Sequence, residues 1–182
     1  NLQSPDRHIR FAARVAIEHQ PVDSWAKLAL AETHPQAQIE AAIALARHGD
    51  KSLQPKLIDA LARIKIDSLD QAGQLGLLRA YGLAGLRMGR PTGQSRQQIL
   101  DHIDQLFPSD STPMNRELAQ LLIYLDAPHV VPRTLVLLKD ARTQHDRLHY
   151  ALMLRKQVNG WTRNGRKTYF ESFNAAAAAR GG

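Results

Sequence analysis

Cysteine is absent from this chain of 182 residues. That removes disulfides, thiolate nucleophiles, cysteine-ligated zinc, iron–sulfur clusters and covalently attached haem from the chemistry its residues can perform. Aromatic residues make up only 5% and β-branched residues are few, so little favours a sheet. No apolar run approaches the ~20 residues that a membrane-spanning helix requires. The G-x-S-x-G elbow, the P-loop and the G-x-G-x-x-G fingerprint are all missing. Residues 85–93 hold Gly85, Gly89 and Gly93, yet no Lys-Ser/Thr ending follows and no strand precedes them. Neither an initiator Met nor a basic–apolar–small signal pattern stands at Asn1, and the chain is expected to be a segment of a larger protein.

What the chain has in quantity is alanine and leucine, 25 of each, which favours helix. Hydrophobic residues reach 43%, enough for a packed core and too many for wholesale disorder. Apolar residues at Ile9, Ala12, Ala13, Ala16 and Ile17 follow the i, i+3, i+4, i+7, i+8 spacing of an amphipathic helix. The spacing returns at Ile39, Ala42, Ile43 and Ala46, at Leu77, Ala80, Tyr81 and Ala84, and at Leu118, Leu121, Leu122 and Leu125. A shorter fifth copy is Leu148, Ala151 and Leu152. The lead residues lie 30, 38, 41 and 30 positions apart, a period in the range of stacked helical pairs.

Punctuation marks the same units. Ser4-Pro5 and Thr112-Pro113 place a hydroxyl before a proline, as helix starts do, and Pro21, Pro35 and Pro128 stand at further boundaries. Thr143 with Asp146 three residues on has the form of a capping box. Gly49, Gly89 and Gly160 are expected helix stops. The reading is an all-α chain of ten helices in five pairs. First members run over about 5–19, 35–48, 68–88, 113–126 and 144–158, and partners over about 21–32, 51–65, 94–106, 128–140 and 162–179. The repeats then cover about 5–33, 35–66, 68–107, 113–140 and 144–180 of one domain. Each pair leaves an apolar face that only a neighbouring pair can bury, so the expected architecture is a right-handed α-solenoid with the second helices on its concave side.

Charge is uneven. Residues 1–141 carry 16 basic and 15 acidic groups, whereas residues 142–182 carry 8 basic and 2 acidic. Arg142, Arg147, Arg155, Lys156, Arg163, Arg166, Lys167 and Arg180 supply the excess, which suits a solvated helical face or a surface that meets an anion or an acidic partner. The candidate binding surface is Arg155, Lys156, Arg163, Arg166 and Lys167.

The segment from Asp6 through Ile9, Arg10, Ala12 and Ala13 to Ile17 resembles the first helix of HEAT repeats, and residues 35–49 resemble a second copy without the arginine. In such repeats the Asp and the Arg link neighbouring repeats while the alanines pack, which implies packing roles for Asp6, Arg10, Ala12, Ala13, Ile39, Ala42, Leu118 and Leu122. A narrower resemblance rests on residues 115–125 with Ala127-Pro128, on Gly160-Trp161-Thr162, Arg166, Tyr169-Phe170 and Phe173-Asn174, and on Gly181-Gly182. These look like the HEAT region of large exported planctomycete-type proteins described as membrane-bound dehydrogenases or haem-binding-domain proteins. There a dehydrogenase-like β-propeller usually precedes the repeats and a cytochrome c-like domain follows. The resemblance implies a non-catalytic connecting scaffold, exported, whose partners are flanking domains or another protein. Any haem would belong to the downstream domain, since C-x-x-C-H is absent here.

The alternative is a nucleic-acid-binding protein resembling the HEAT-like alkylpurine DNA glycosylases. The basic last quarter and Trp161 fit it, while the net charge of only +1 over residues 1–141 weighs against it. A resemblance to HEAT-like bilin lyases carries no matching motif.

Local chemistry is sparse. His145 and His149 share a helix face at the spacing of two metal ligands, yet H-E-x-x-H is not completed and no third ligand is evident, so a surface or interface pair is the simpler reading. Asp67 with Asp70 and Asp101 with Asp104 read as helix-start or exposed charges. The remaining histidines, His102 among them, are expected to solvate or cap helix ends. Trp161 is expected to staple onto Gly165 or Arg166 behind a Thr162 cap, with Tyr169, Phe170 and Phe173 covering the end of the array, and Ala175–Ala179 extending the last helix to Arg180. Ala42→Arg, which forces a bulky charge into the small-residue seam, is expected to cost several kcal/mol in urea unfolding, whereas a change within ~0.5 kcal/mol would place Ala42 at the surface.

Overall fold

Helix capping sets the frame of the computed structural model, which describes residues 1–178, with side chains through Asn174. Among these residues there are ten α-helices and no strand. They are α1 (Arg7–Glu18), α2 (Val22–Ala31), α3 (Pro35–His48), α4 (Gln54–Ala62), α5 (Gln71–Met88), α6 (Gly93–Ile103), α7 (Thr112–Tyr124), α8 (Val130–Asp140), α9 (Gln144–Leu154) and α10 (Arg163–Ala178). They divide into two units, Asn1–His102 and Ile103 onward. The expected end of the last helix at Ala179–Gly182, with Arg180 and the Gly181-Gly182 pair, lies outside the described residues.

In the first unit α3 is the centre. Every residue from 37 to 46 is buried, with Ile39 and Leu45 at 1% and 0% exposure, because α1, α2, α4 and α5 all pack against it. Alanines at 37, 41, 42, 44 and 46 let those helices come close, and each fully buried Leu or Ile contributes about 1.5–3 kcal/mol. A helix covered all round must satisfy its polar groups internally. The Gln38 amide accordingly donates to the Ala60 carbonyl of α4. Gly49 ends α3 with extended backbone at φ −74° rather than the left-handed turn expected of a helix stop. Its glycine is required for another reason: a Cβ there would lie 2.6 Å from the Leu45 carbonyl oxygen.

Between α5 and α6 the sequence conceals a polar lock. His102 was expected to cap a helix end. Instead it sits half-buried, its Nδ1 2.8 Å from the hydroxyl of the fully buried Tyr81 and its Nε2 2.8 Å from the Ile64 carbonyl. The carbonyl can only accept, so Nε2 carries the proton and Nδ1 accepts from Tyr81.

The second unit is built around α7, whose Leu118 and Leu122 are fully buried. It packs on α8 and α9, and α10 packs on α8 and α9. A Cβ at Gly165 would lie 3.0 Å from Leu135 Cδ1, so glycine lets α10 approach α8. Arg133 ties the loops together. Its guanidinium lies 5.4 Å over the Phe107 ring and donates to the carbonyls of Asp104 (3.0 Å), Phe107 (3.1 Å) and Pro128 (2.9 Å). The Asn115 amide accepts from Ser109 N at 2.7 Å and donates to Ser109 O at 2.6 Å, closing the turn before α7.

Several expectations are corrected in detail. Asp6, not Ser4, caps α1, accepting from His8 N at 2.7 Å, and Ser111, not Thr112, caps α7. Asp6 serves its own helix, and among the described residues no ion pair joins it to a neighbouring one. Ala12 and Ala16 are exposed, as is Ile9 at 47%, because the side of α1 turned inward is Arg10, Ala13, Arg14 and Ile17. Likewise α9 buries Asp146, Tyr150, Ala151 and Leu154 and leaves Leu148 and Leu152 exposed. Phe170 is 64% exposed, since Tyr169, one residue round the helix, takes the inward position and donates its hydroxyl to the Ala151 carbonyl at 3.2 Å.

Burial lowers the pKa of His102 below the ordinary imidazole value and raises that of Tyr81. The neutral imidazole is the form the fold holds, so its stabilisation is complete above about pH 6.5, the unfolded value, and is lost as pH falls through the lower folded value. Stability measured by urea unfolding should therefore fall less between pH 7.5 and 5 in His102→Asn than in the native chain. Tyr81→Phe, which leaves Nδ1 without its donor, should cost about 1–3 kcal/mol at pH 7.5.

Candidate functional site

Arg10, Arg14 and Glu18 stand four residues apart on α1 and face α3. From α3, Glu40 reaches up between the arginines: its Oε2 accepts from Arg14 Nη1 at 2.7 Å and its Oε1 lies 3.4 Å from Arg10 Nε. Gln36, one turn before, donates to Oε1 at 3.3 Å. Arg10 anchors its other arm on the Ser4 and Pro5 carbonyls at 2.7 and 3.0 Å. At the far end, Glu18 lies 3.6 Å from Arg14 Nε, 3.2 Å from Arg47 Nε and 3.4 Å from His48 Nε2. The side chains of Arg10, Arg14, Glu18 and Glu40 are each less than one-fifth exposed, so these charges interact in a poorly screened setting where neither partner can be removed cheaply. Arg10 Nε, Arg14 Nε and Glu18 Oε1 are buried within ion-pair range of opposite charge but are not aligned for hydrogen bonds.

A cleft of about 350 Å³ opens beside this cluster between α1, α3 and α5. Arg10, Arg14 and Arg79 line it together with Glu40 and the apolar side chains of Phe11, Ile39 and Ile43. Of the lining residues, sequence reasoning singled out Arg10, Ile39 and Ile43, as packing residues, and missed Arg14, Glu40, Phe11 and Arg79 as site members. A signal for two of them was present: Arg10-x3-Arg14-x3-Glu18 puts three charges on one face of a helix, and Glu40 is the one charged residue in a run of small and apolar neighbours.

The second unit repeats the device. Arg116 on α7 reaches Asp146 on α9, with Nε 2.7 Å and Nη2 2.5 Å from Oδ1. The Thr143 hydroxyl donates to Asp146 Oδ2 at 2.6 Å and accepts from Asp146 N at 3.1 Å. Thr143 thus caps α9, while the acid holds the cap's hydroxyl, not its backbone N–H as in the expected capping box, and also serves the neighbouring helix. His149 turns its Nε2 to the Arg116 carbonyl at 3.2 Å and its ring edge-on to Tyr150, while His145 is exposed. The pair thus does not converge, and among the described residues no group of three His, Cys, Asp or Glu is placed to hold a metal.

The basic candidates Arg155, Lys156, Arg163, Arg166 and Lys167 are all exposed. Lys167 lies 3.7 Å from Glu171 on the surface, an arrangement worth little. Arg166 lies 5.9 Å over Trp161. Trp161 fulfils its expected place, half-buried behind Thr162, whose hydroxyl accepts from Gly165 N at 2.9 Å. Its indole donates to the Gln157 carbonyl at 2.9 Å and meets Tyr169 edge-on at 5.3 Å. No helix among the described residues is long and apolar enough to cross a membrane.

No family model, curated protein or solved structure matches the chain.

Hydrogen bonding from Thr143, with the Arg116 charge beside it, lowers the pKa of Asp146 below the ordinary carboxylate value. The ionised acid is the folded form, so its contribution is present above about pH 4 and lost as pH falls through the lower folded value. Asp146→Asn should lower the melting temperature at pH 7 and flatten its dependence on pH between 5 and 2. An unchanged acid limb in thermal scans would remove the link from the stability of this unit.

Proposed function

We propose that the chain is a HEAT-type helical-repeat scaffold whose role is to hold other domains or a protein partner, without chemistry of its own. The observation that carries this reading is the recurrence of one device. An arginine on a first helix reaches an acid on the next first helix, Arg14 to Glu40 and Arg116 to Asp146, 26 and 30 residues apart. Stacked repeats use such links because successive units contact only their neighbours. Apolar residues on the outer helices also stay exposed, with Ile9 and Phe11 at 47% and 57%, and Leu148 and Leu152 at 43% and 49%. On α9 the two leucines stand four residues apart and form an uncovered apolar row, which suits docking better than isolation. In this reading the pairs form a solenoid within a larger exported protein, between a dehydrogenase-like propeller and a cytochrome c-like domain, and haem belongs to the latter. Nucleic acid is the less favoured partner, because the net basic excess is confined to the last quarter of the chain and residues 1–141 are nearly balanced.

Two measurements test it. The parent gene should encode a propeller pattern before Asn1 and C-x-x-C-H after Gly182, and a reading frame with neither overturns the redox scaffold. The separately produced neighbouring domain should then bind this chain in calorimetry. Leu148→Glu with Leu152→Glu should weaken that binding about tenfold or more with the melting temperature unchanged, as expected for contacts at the centre of an interface. Equal binding by the double variant would exclude α9 as the docking face.

A further inference from the structure

We propose that the cleft between α1, α3 and α5 is a binding site for a small amphipathic anion, a ligand with one carboxylate or phosphate head on an apolar body. The inference does not rest on the scaffold reading. With Glu18 engaging Arg14 from outside the cleft, three guanidinium groups, Arg10, Arg14 and Arg79, line it beside one lining carboxylate, Glu40. That carboxylate is already engaged by Arg14, Arg10 and Gln36. Donors nevertheless remain. Arg10 uses Nη1 on the Ser4 and Pro5 carbonyls, and Arg14 uses Nη1 on Glu40, which leaves Nη2 of each uncommitted. Arg79 is exposed and has no partner among the described residues. An excess of planar, permanently charged forks in one concavity matches carboxylate or phosphate geometry.

The rest of the cleft fixes the body of the ligand. Phe11 and Ile39 supply an apolar wall, with the Arg14 guanidinium 5.3 Å from the Phe11 ring centroid. On α5, Ala72 and Gly76 stand one turn apart where longer side chains would fill the space. A Cβ at Gly76 would meet only Ile39 Cγ2, at 3.4 Å. About 350 Å³ is at the lower end of the range of small-molecule sites, so the ligand is a single ring or a short chain rather than a nucleotide. A second concavity that shares Arg10, Phe11, Arg14 and Glu40 with the cleft adds Arg7 and His8, further positive charge that attracts anions to this side of α1.

The probes are phenyl phosphate, 3-phenylpropionate, inorganic phosphate and benzylamine, titrated at constant ionic strength into the ¹⁵N-labelled chain, with the arginine Nε–Hε signals read by NMR. The expected result is saturable shifts of Arg10, Arg14 and Arg79 with phenyl phosphate or 3-phenylpropionate, the tighter of the two identifying the head group. Inorganic phosphate should bind about tenfold more weakly, and benzylamine not at all. Arg79→Gln removes an exposed charge, and Gly76→Leu fills the cleft without a backbone clash. Each should weaken binding about tenfold while the melting curve stays native-like. Shifts that never saturate, equal shifts with benzylamine, or binding unchanged in both variants would overturn the site.

Discussion

Burial of α3 on all sides is the constraint on which the first unit depends. Ten successive residues of one helix lie out of water, and such a helix has no solvated face on which to carry long polar side chains. The sequence meets the constraint with alanine, which allows four helices to crowd round a single axis, and with isoleucine and leucine where space remains. The two polar residues left in the run, Gln38 and Glu40, each have a fixed partner on a neighbouring helix. Remove either partner and a buried amide or carboxylate would be stranded, so these contacts also determine which helix lies where.

The arginine–acid links follow from that crowding. Short helices leave little apolar area between successive first helices, and a charged pair that is mostly shielded from water adds orientation where packing alone would allow sliding. Arg14 with Glu40 joins α1 to α3, and Arg116 with Asp146 joins α7 to α9. In the second, the acid has a double duty, since it also accepts from the hydroxyl of Thr143, the cap of α9. In the first, the same arrangement has surplus positive charge. Three arginines converge where one carboxylate stands, beside a cleft that small residues on α5 leave open. Structural links and a ligand-sized concavity thus share side chains, and the anion site we propose grows out of the packing device instead of standing apart from it.

Sequence signals specify structure closely where the physics is local. Helix period and Gly/Pro punctuation placed α3, α5, α7 and α8 within a few residues of their observed limits, and Thr143 was recognised as a cap. Errors arose where two local signals compete. Ser4 and Thr112 each had a neighbour, Asp6 and Ser111, better placed to receive the first free amide of the helix. The stripes on α1 and α9 were read as buried because apolar spacing defines a face but not what lies against it. On α1 the inward face includes two arginines, which a hydrophobic pattern ranks last. Of the candidate site, Arg10, Ile39 and Ile43 stand out in the sequence, and those as packing residues, since Arg79 and Phe11 are remote in sequence from Glu40 and lack any shared motif.

Composition and periodicity alone therefore determined an all-helical chain without cysteine chemistry, the approximate limits of several helices, and the small-residue seam of α3. These depend on interactions within a few residues, which the order of amino acids specifies directly. Tertiary structure alone decided that His102 would be locked to Tyr81 and Ile64, that Glu40 would sit between two arginines, and that Arg79 would face the same cleft from α5. Each of those outcomes depends on the rotation and separation of helices that meet only after folding. A rotation of 100° between adjacent residues of a helix is enough to turn Tyr169 inward and Phe170 out.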